Sequence, residues 1–250
     1  MGRFDTFDTL SAGKLSVVAT PIGNLEDMTL RALRTLKECD VIYAEDTRVI
    51  SKLLSKYDIE KSLQRLDAAT ESKKAKQVIA RLEGGEHVAL VSDAGTPGIS
   101  DPGSRLVAMV RKALPEAKIE AIPGASALTA ALSIAGVPAE QFTFLGFLPH
   151  KKGRHTALAE ITEMVRKGSP QDGMSVILYE SPHRILKLLS ELAAHNIQAV
   201  TLARELTKMH EEVLSGEPLE LARILEKKGA VRGEFVVIIS PLSSRYSSVI

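Results

Sequence analysis

The sequence predicts a protein of two tandem α/β domains with mostly parallel sheets. The chain has 250 residues, of which 44% are hydrophobic and 25% are charged, as in ordinary folded proteins. That length suits two domains of about 125 residues each. Short β-branched runs alternate with amphipathic stretches along the chain, and strands that alternate with helices form mostly parallel sheets.

The first predicted domain covers residues 15–122. Its short apolar runs predict strands at Leu15–Ala19, Val41–Ala44, Val88–Ser92 and Ile119–Ile122. Its stretches of helical periodicity predict helices at Thr29–Cys39, Thr47–Lys56, Glu71–Glu83 and Ser104–Leu114. Gly84 and Gly85 end the third of these helices, because glycine adopts the backbone conformation that a helix end requires.

The second predicted domain covers residues 123–241, since a turn at Pro123 precedes a new alternation of elements. Strands are predicted at Phe142–Leu145, Met174–Leu178, Ala199–Leu202 and Phe235–Ile239, and helices at His183–Ala194 and Pro218–Lys227. The uncharged stretch Ala121–Ala139 predicts a buried core helix that begins near Ala125, because its prolines, glycines and hydroxyls make the stretch too polar to span a membrane. Residues 1–14 and 242–250 are predicted to be tails.

Charge and cysteine content exclude several classes of protein. The 32 Lys and Arg residues nearly balance the 31 Asp and Glu residues, so no overall field attracts nucleic acid or an anionic membrane. An anionic partner would therefore be bound by a local patch. A lone cysteine, Cys39, excludes an internal disulfide framework and favours the cytoplasm. The six histidines lack metal-ligand spacing, so no metal is expected.

The loops that follow the strands of the first domain predict a ligand pocket, because open α/β sheets bind ligands beyond the carboxyl ends of their strands. In the loop Asp93–Gly103, three glycines allow close backbone approach and two prolines fix the path. The turns Thr20–Leu25 and Pro123–Ala127 add small residues, and free amides at a helix start suit a carboxylate or a ribose hydroxyl. The alternative for the long loop is a tight turn in which Asp101 or Ser104 caps the next helix.

Common catalytic motifs are missing from the sequence. It contains no GxxxxGK[ST], no GxGxxG after the first strand and no GxSxG, which disfavours phosphoryl transfer, hydride transfer and serine hydrolysis. With no Trp, four Tyr and six Phe, the chain lacks a platform for long single strands of nucleic acid. At most one or two nucleotides are expected to be held closely.

Charged segments also follow several strands. Glu45–Arg48 is either a helix cap with acids in the first turn or part of a site, and both interpretations stay open. Tyr179–Arg184 and Ala203–Lys208 occupy equivalent strand ends in the second domain. The densest basic cluster, His150–His155, is predicted to be a flexible loop that contacts phosphate, its cations being Lys151, Lys152 and Arg154.

Together these motifs resemble, in order and spacing, the small-subunit ribosomal RNA methyltransferase branch of the tetrapyrrole methylase superfamily. The resemblance runs from Leu15 to Pro241 and rests on the segments Val18–Leu25, Ala44–Arg48, Asp93–Gly103, Pro123–Ala127, Phe147–Pro149, Tyr179–Arg184, Ala203–Lys208 and Gly233–Phe235. It implies a class III methyltransferase fold that binds S-adenosylmethionine between its domains, usually as a homodimer. The implied reaction is 2'-O-methylation of a cytidine ribose in 16S rRNA, in the decoding region of the small ribosomal subunit.

The resemblance also implies site residues. It places cofactor contacts at Pro21, Gly23, Ser92, Asp93, Ala94, Gly95, Thr96, Ser126, Ala127, Tyr179, Glu180, Ala203 and Arg204. Because a ribose hydroxyl is a poor nucleophile, a base is expected to accept its proton, and Glu45, Asp46 and Glu205 are the candidates. Arg48 or Lys208 would orient a phosphate or stabilise the developing alkoxide.

Two other functions stay open at this point. A tetrapyrrole C-methyltransferase would keep the fold and the cofactor and change only the acceptor. A non-catalytic RNA-binding protein would use S-adenosylmethionine only as a signal. A site built around a 2'-hydroxyl selects RNA over DNA, so DNA is not an expected partner, and neither is a membrane.

Overall fold

The computed structural model describes residues 13–167 and 174–241, and the chain divides into two compact units between Ser126 and Ala127. The sequence analysis divides it instead between Ile122 and Pro123. The predicted tail 242–250 lies outside the described residues, as does the predicted tail 1–14 apart from Gly13 and Lys14.

The first unit alternates strands and helices throughout. Its elements are β1 (Lys14–Val18), a 3-10 turn (Leu25–Asp27), α1 (Leu30–Glu38), β2 (Val41–Ala44), α2 (Thr47–Lys56), β3 (Ser62–Arg65), α3 (Glu71–Glu83), β4 (His87–Val91), α4 (Ser104–Ala113) and β5 (Lys118–Ile122). The five strands form one parallel sheet in the order β3-β2-β4-β1-β5. Every strand therefore ends at the same edge of this sheet.

Helices cover both faces of this sheet, which explains why its central strands are apolar on both sides. The helices α1 and α2 pack on the face to which Ile42 and Ala44 of β2 point, whereas α3 and α4 pack on the opposite face, with Val41 and Tyr43. Each helix buries one apolar stripe, and the charged residues other than Glu71 of α3 lie outside it.

The second unit contains a mixed sheet. Its elements are α5 (Ala127–Ile134), β6 (Phe142–Phe147), α6 (Arg154–Lys167), β7 (Ser175–Glu180), α7 (Pro182–Ala194), β8 (Val200–Arg204), β9 (Glu212–Gly216), α8 (Pro218–Lys227) and β10 (Phe235–Ile239). The strand order is β6-β7-β10-β8-β9. Strand β6 is parallel to β7, but β10 is antiparallel to both β7 and β8, and β9 is antiparallel to β8.

The α/β fold class is confirmed, and the prediction of mostly parallel sheets holds for the first sheet. The second sheet is mixed because β10 inserts between β7 and β8, and because β9 folds back against β8. The sequence analysis missed β3 and β9, which are edge strands with little apolar sequence. It also missed α6, which begins at Arg154 inside the segment predicted to be a loop.

Helix α5 differs from its expected role. The sequence analysis predicts a buried core helix here, yet Ala131 is the one residue of α5 that is buried within the chain. None of the helices within residues 13–167 and 174–241 has the length and apolarity that a membrane crossing requires.

Candidate functional site

The loops after β1 and β4 are joined at the carboxyl edge of the first sheet. The Thr20 N–H donates to the Gly95 carbonyl at 2.9 Å, and the Gly95 N–H donates to the Thr20 carbonyl at 3.0 Å. The Thr20 hydroxyl donates to the Ser92 carbonyl at 3.0 Å, and the Ser92 hydroxyl donates to the Gly95 carbonyl, also at 3.0 Å. Four of the expected cofactor positions, the consecutive residues Ser92 to Gly95, therefore lie in a segment with a fixed backbone.

The loop after β5 joins the same network. The Thr96 hydroxyl donates to the Ala125 carbonyl at 3.2 Å. Gly95 has a φ of +83°, and a Cβ atom there would lie 3.3 Å from Cγ2 of Ile22. A Cβ atom at Gly124 would lie 3.0 Å from the Cβ of Ala19. Glycine at these two positions lets three loops approach one another closely.

Asp93 links this network to the loop after β2. Its Oδ1 accepts a hydrogen bond from the Asp46 N–H at 2.9 Å. Four loops of the first unit, those that follow β1, β2, β4 and β5, are thus tied together by hydrogen bonds. The expected cofactor positions Pro21 and Gly23 lie in the first of these loops, and Ser126 lies in the last.

Asp46 and Arg48 form an ion pair at the start of α2. The Asp46 carboxylate caps the helix by accepting from the Arg48 N–H at 2.9 Å, and it accepts from Nε and Nη2 of Arg48 at 3.0 and 2.6 Å. These hydrogen bonds hold the pKa of Asp46 well below its usual range. A carboxylate with so low a pKa is a weak base, which disfavours Asp46 as the proton acceptor. The Arg48 side chain is 87% exposed.

Glu45 and Asp101, unlike Asp46, have raised pKa values. Burial raises the pKa of Glu45, and the nearby charges of Asp93 and Asp67 raise it further. Burial likewise raises the pKa of Asp101 to about 6, with added repulsion from Glu45 and Asp93. The sequence analysis does not identify Asp101 as a carboxyl group with a raised pKa, because the proximity of Asp101 to Glu45 depends on the fold.

The sequence analysis considers Asp101 or Ser104 as the cap of α4, and neither is. The Glu71 side chain, buried at the start of α3, accepts instead from the Gly103 N–H at 2.9 Å and from the Leu106 N–H at 3.0 Å. A buried carboxylate thus satisfies the free amides of the helix start and fixes the end of the Asp93–Gly103 loop.

The raised pKa of Asp101 makes stability depend on pH. Its carboxyl group has a pKa of about 6 in the folded protein instead of 3.8, so folding disfavours the charged form. The free energy of unfolding should therefore fall as the pH rises from about 4 to about 6, and this contribution should stay constant above and below that range. In Asp101→Asn we expect this fall to be smaller. Urea denaturation of both proteins at about pH 4 and about pH 7 measures their free energies of unfolding. If the two proteins differ in this free energy by the same amount at both pH values, the prediction is contradicted.

The second unit has its own cluster of predicted residues at one sheet edge. Phe235, the first residue of β10, pairs with Glu180 at the end of β7 and with Arg204 at the end of β8. Tyr179 lies next to Glu180, and its ring contacts Phe144 and Phe147 edge-on, with centroid distances of 4.9 and 5.7 Å. Ala203 is buried within β8.

Glu180 and Arg154 lie together in a buried cluster of ion pairs. Glu180 is buried and ion-paired, with its Oε1 3.2 Å from Nε of Arg184 and its Oε2 3.9 Å from Nη1 of Arg154. Arg154 is also buried, and its Nη2 lies 2.7 Å from Oε2 of Glu191. The prediction that Arg154 contacts phosphate from a flexible loop is therefore wrong, because the guanidinium is committed to internal carboxylates. The side chain of Glu180 is likewise buried, and its Oε1 is ion-paired with Arg184, whereas its Oε2 accepts no hydrogen bond within the described residues.

Arg204 is held in a similar way. Its Nε lies 3.2 Å from Oε2 of Glu212, and its Nη1 donates to the Ala230 carbonyl at 2.7 Å. Lys228 forms a further ion pair with Glu212. The Arg204 side chain therefore ties β8 to β9 and to the loop that precedes β10.

Glu205 and Lys208 form a second ion-pair cluster just beyond β8. Nζ of Lys208 lies 2.9 Å from Oε1 of Glu205 and 2.9 Å from Oε2 of Glu234, and the Glu234 N–H donates to Glu205 at 3.2 Å. The hydrogen bond from Lys208 lowers the pKa of Glu205. Burial opposes the charge of Lys208, but its hydrogen bonds to the two carboxylates prevail and raise its pKa. Glu205 is therefore a weaker base than Glu45, which favours Glu45 among the three candidates.

No group of three or more His, Cys, Asp or Glu side chains within residues 13–167 and 174–241 is arranged to hold a metal ion. The side chains at the first sheet edge include the carboxylates of Glu45, Asp46, Asp93 and Asp101 and the exposed guanidinium groups of Arg48 and Arg65.

The comparisons with known proteins agree on one family. The family model described as Tetrapyrrole (Corrin/Porphyrin) Methylases matches residues 14–222. The chain is 44% identical over 232 residues to the Ribosomal RNA small subunit methyltransferase I of Borrelia garinii subsp. bavariensis, which covers 92% of this chain and 100% of that protein. It is 42% identical to the protein of the same name from Thermotoga maritima, covering 91% of this chain and 98% of that one.

Solved structures show the same fold at lower identity. The uroporphyrin-III-C-methyltransferase from Thermus thermophilus has a TM-score of 0.61 at 20% identity, covering 95% of this chain and 99% of that one. A diphthine synthase has a TM-score of 0.68 at 15% identity, covering 90% and 89% of the two chains.

Proposed function

Because the chain belongs to the tetrapyrrole (corrin/porphyrin) methylase family, we propose that it transfers a methyl group from S-adenosylmethionine to the 2'-hydroxyl of a cytidine in 16S rRNA. The observation that carries this proposal is the 44% identity to a small subunit rRNA methyltransferase I along the full length of that relative. The proposed partner is the small ribosomal subunit, and the proposed compartment is the cytoplasm.

The residues at the first sheet edge fit this methyl donor. The hydrogen-bonded segment Ser92–Thr96 and the glycines at 95 and 124 let the loops approach closely and fix the backbone where the resemblance places cofactor contacts. The sulfonium and amino groups of S-adenosylmethionine are cationic, and a cation placed near Glu45, Asp93 and Asp101 would relieve their mutual repulsion. The donor, when bound, supplies the electrophilic methyl group.

The chain's own residues then bind and orient the ribose of the RNA and accept the proton of its 2'-hydroxyl. Glu45 accepts the proton of the 2'-hydroxyl as the ribose oxygen bonds to the methyl carbon and the bond from sulfur to that carbon breaks, leaving S-adenosylhomocysteine. The exposed Arg48 contacts a phosphate beside the target ribose. Most of the acceleration is expected to come from positioning, since methyl transfer requires an in-line approach of oxygen and carbon.

The direct test incubates the protein with methyl-labelled S-adenosylmethionine and small ribosomal subunits that lack ribose methylation. The RNA is then digested, and the labelled nucleosides are identified by mass spectrometry. We expect label in 2'-O-methylcytidine. Label in a tetrapyrrole acceptor instead of RNA would establish the C-methyltransferase alternative, and cofactor binding without turnover on either acceptor would establish the sensing alternative.

We expect two substitutions to separate cofactor binding from turnover. Asp93→Ala removes the acceptor of the Asp46 N–H and should weaken S-adenosylmethionine binding about tenfold, because a partly buried amide loses a charged partner. Arg48→Ala removes an exposed side chain and should spare cofactor binding while lowering turnover. Calorimetric titration of the cofactor into both variants measures the two affinities. Asp93→Asn is the control, because it keeps an acceptor oxygen. Equal losses of affinity in Asp93→Ala and Arg48→Ala would refute this separation of roles.

We also propose that the protein is a homodimer. Helix α5 has no charged residue, and Ala131 is the one residue of α5 that is buried within the chain, while Ile134 is 46% exposed. Exposed apolar surface of this kind is typical of an interface between subunits. Sedimentation equilibrium of the full chain tests the proposal, and a monomer at micromolar concentration would contradict it.

A further inference from the structure

Two arginines hold the loop that follows β6. Nη2 of Arg184 donates to the Leu148 carbonyl at 2.6 Å, and Nη1 of Arg154 donates to the Pro149 carbonyl at 3.2 Å. Nη1 of Arg184 also lies 3.3 Å from Nε2 of His150, which must accept because a guanidinium only donates. The start of this loop therefore has a defined backbone.

The two arginines are fixed in turn by carboxylates. The side chain of Glu180 is 0% exposed and lies between Arg184 and Arg154, and Glu191 binds Arg154 through both carboxylate oxygens. The Ser181 N–H donates to Glu180 at 2.9 Å, which orients its carboxylate. Glu180 thus connects the end of β7 to the loop after β6 through the two guanidinium groups.

This loop lies beside an exposed aromatic ring and carries two exposed lysines. Phe147, the last residue of β6, is 54% exposed and rests edge-on against Tyr179. Lys151 and Lys152 are exposed, and neither forms an ion pair in the part of the chain that the structure describes. An aromatic ring followed within one loop by unpaired lysines suits a nucleotide, whose base stacks and whose phosphate is anionic.

We propose that Phe147, Lys151 and Lys152 form a nucleotide-binding element for the RNA substrate, and that Glu180, Arg154 and Arg184 are its positioning residues. This inference rests on the proposed function, which it deepens by naming an RNA contact. An RNA strand is favoured over a second copy of the chain, because a two-fold interface here would bring the lysines of both copies together.

The first test measures binding of a fluorescent single-stranded RNA of about ten nucleotides that contains cytidine, without any methyl donor. Phe147→Ala should weaken binding about tenfold, which is the scale of one lost stacking contact. Phe142→Ala is the matched control, since Phe142 is also exposed, at 38%, but lies at the opposite end of β6. Equal affinities of the two variants would overturn the proposal, as would failure of the unsubstituted protein to bind this RNA.

The second test uses salt dependence. Each phosphate contact on a single strand contributes about 0.7 to the slope of log affinity against log salt, so the double variant Lys151→Ala/Lys152→Ala should reduce the slope by about 1.4. The double variant Arg223→Ala/Lys227→Ala removes the same charge from the exposed side of α8 and should leave the slope unchanged. Equal slopes for the two double variants would overturn the assignment of the lysines.

The positioning role is tested by Arg184→Lys, which keeps the charge but cannot bind Glu180 and the Leu148 carbonyl together. We expect RNA affinity to fall as in Phe147→Ala, S-adenosylmethionine affinity to stay unchanged, and the two substitutions combined to weaken RNA binding by less than the product of their separate effects. A merely structural role would lower both affinities together.

The outcomes also separate this proposal from the proposed function. If the protein methylates rRNA while Phe147→Ala binds RNA normally, only the present inference fails. If the binding pattern holds but no label enters rRNA, the proposed reaction fails and the RNA contact stands. If Phe147→Ala changes the sedimentation of the protein and not its RNA affinity, the surface belongs to an interface between copies and the inference is overturned.

Discussion

Replacing Glu45 with glutamine is expected to lower the rate of methyl transfer about 10²–10⁴-fold, with a much smaller loss of cofactor affinity from the removed charge. The glutamine side chain has almost the same shape but cannot accept the proton of a ribose hydroxyl. Single-turnover transfer of labelled methyl groups to small ribosomal subunits measures the rate, and calorimetry measures the affinity.

The choice of Glu45 rests on the electrostatics of the three candidate bases. Hydrogen bonds from Arg48 lower the pKa of Asp46, and a hydrogen bond from Lys208 lowers that of Glu205, whereas burial and neighbouring carboxylates raise that of Glu45. A carboxylate with a raised pKa accepts a proton more readily near neutral pH. Glu205→Gln is therefore the matched control, with a much smaller expected loss of rate. Equal losses in Glu45→Gln and Glu205→Gln would refute this choice.

The same substitution should alter the titration of its neighbour. Because the charge of Glu45 contributes to the raised pKa of Asp101, removing that charge should lower the pKa of Asp101.

The rate of the unsubstituted protein should fall as the pH drops through the pKa of Glu45, since only the ionised carboxylate accepts a proton. A rate that is independent of pH in this range would contradict the role of Glu45 as the base.

Much of the fold was predictable because its main elements carry their own signal. Thr47–Lys56 and Phe235–Ile239 have the predicted bounds, since a helix with one apolar stripe and a fully apolar strand are recognisable without their neighbours. Strand β3 was not predictable in this way. Its sequence, Ser62–Arg65, has one apolar residue, and it is a strand because β2 pairs with its backbone.

The candidate site was predictable in position but not in the roles of its side chains. The loop at Asp93 lies at the carboxyl edge of a parallel sheet, as the order of the elements indicates. The sequence cannot show that Asp101 lies near Glu45, nor that Arg154 folds inward to Glu191, because these contacts join residues that are distant along the chain. Spacing identifies strand ends, whereas the pairing of charges depends on packing.

Replacing Glu180 with glutamine is expected to have the largest effect on stability. The side chain of Glu180 is fully buried between Arg154 and Arg184, and a neutral residue would leave their positive charges without this partner. Breaking a buried ion pair in this way typically costs about 3–5 kcal/mol of unfolding free energy. Urea denaturation followed by circular dichroism measures the loss, and each unit is fitted as its own transition because two-domain proteins often unfold in steps.

Glu191→Gln is the matched control for this prediction. Its carboxylate also binds Arg154, but the side chain of Glu191 is 24% exposed. Water can therefore solvate the part of the Arg154 guanidinium that the substitution leaves without a partner. We expect a clearly smaller loss, and equal losses in the two variants would show that burial of Glu180 is not the cause. Apolar replacement of the whole cluster is not expected to restore stability, although it does so for some buried ion pairs. Arg154 and Arg184 also donate to the Pro149 and Leu148 carbonyls, and an apolar side chain would leave those carbonyls without their donors.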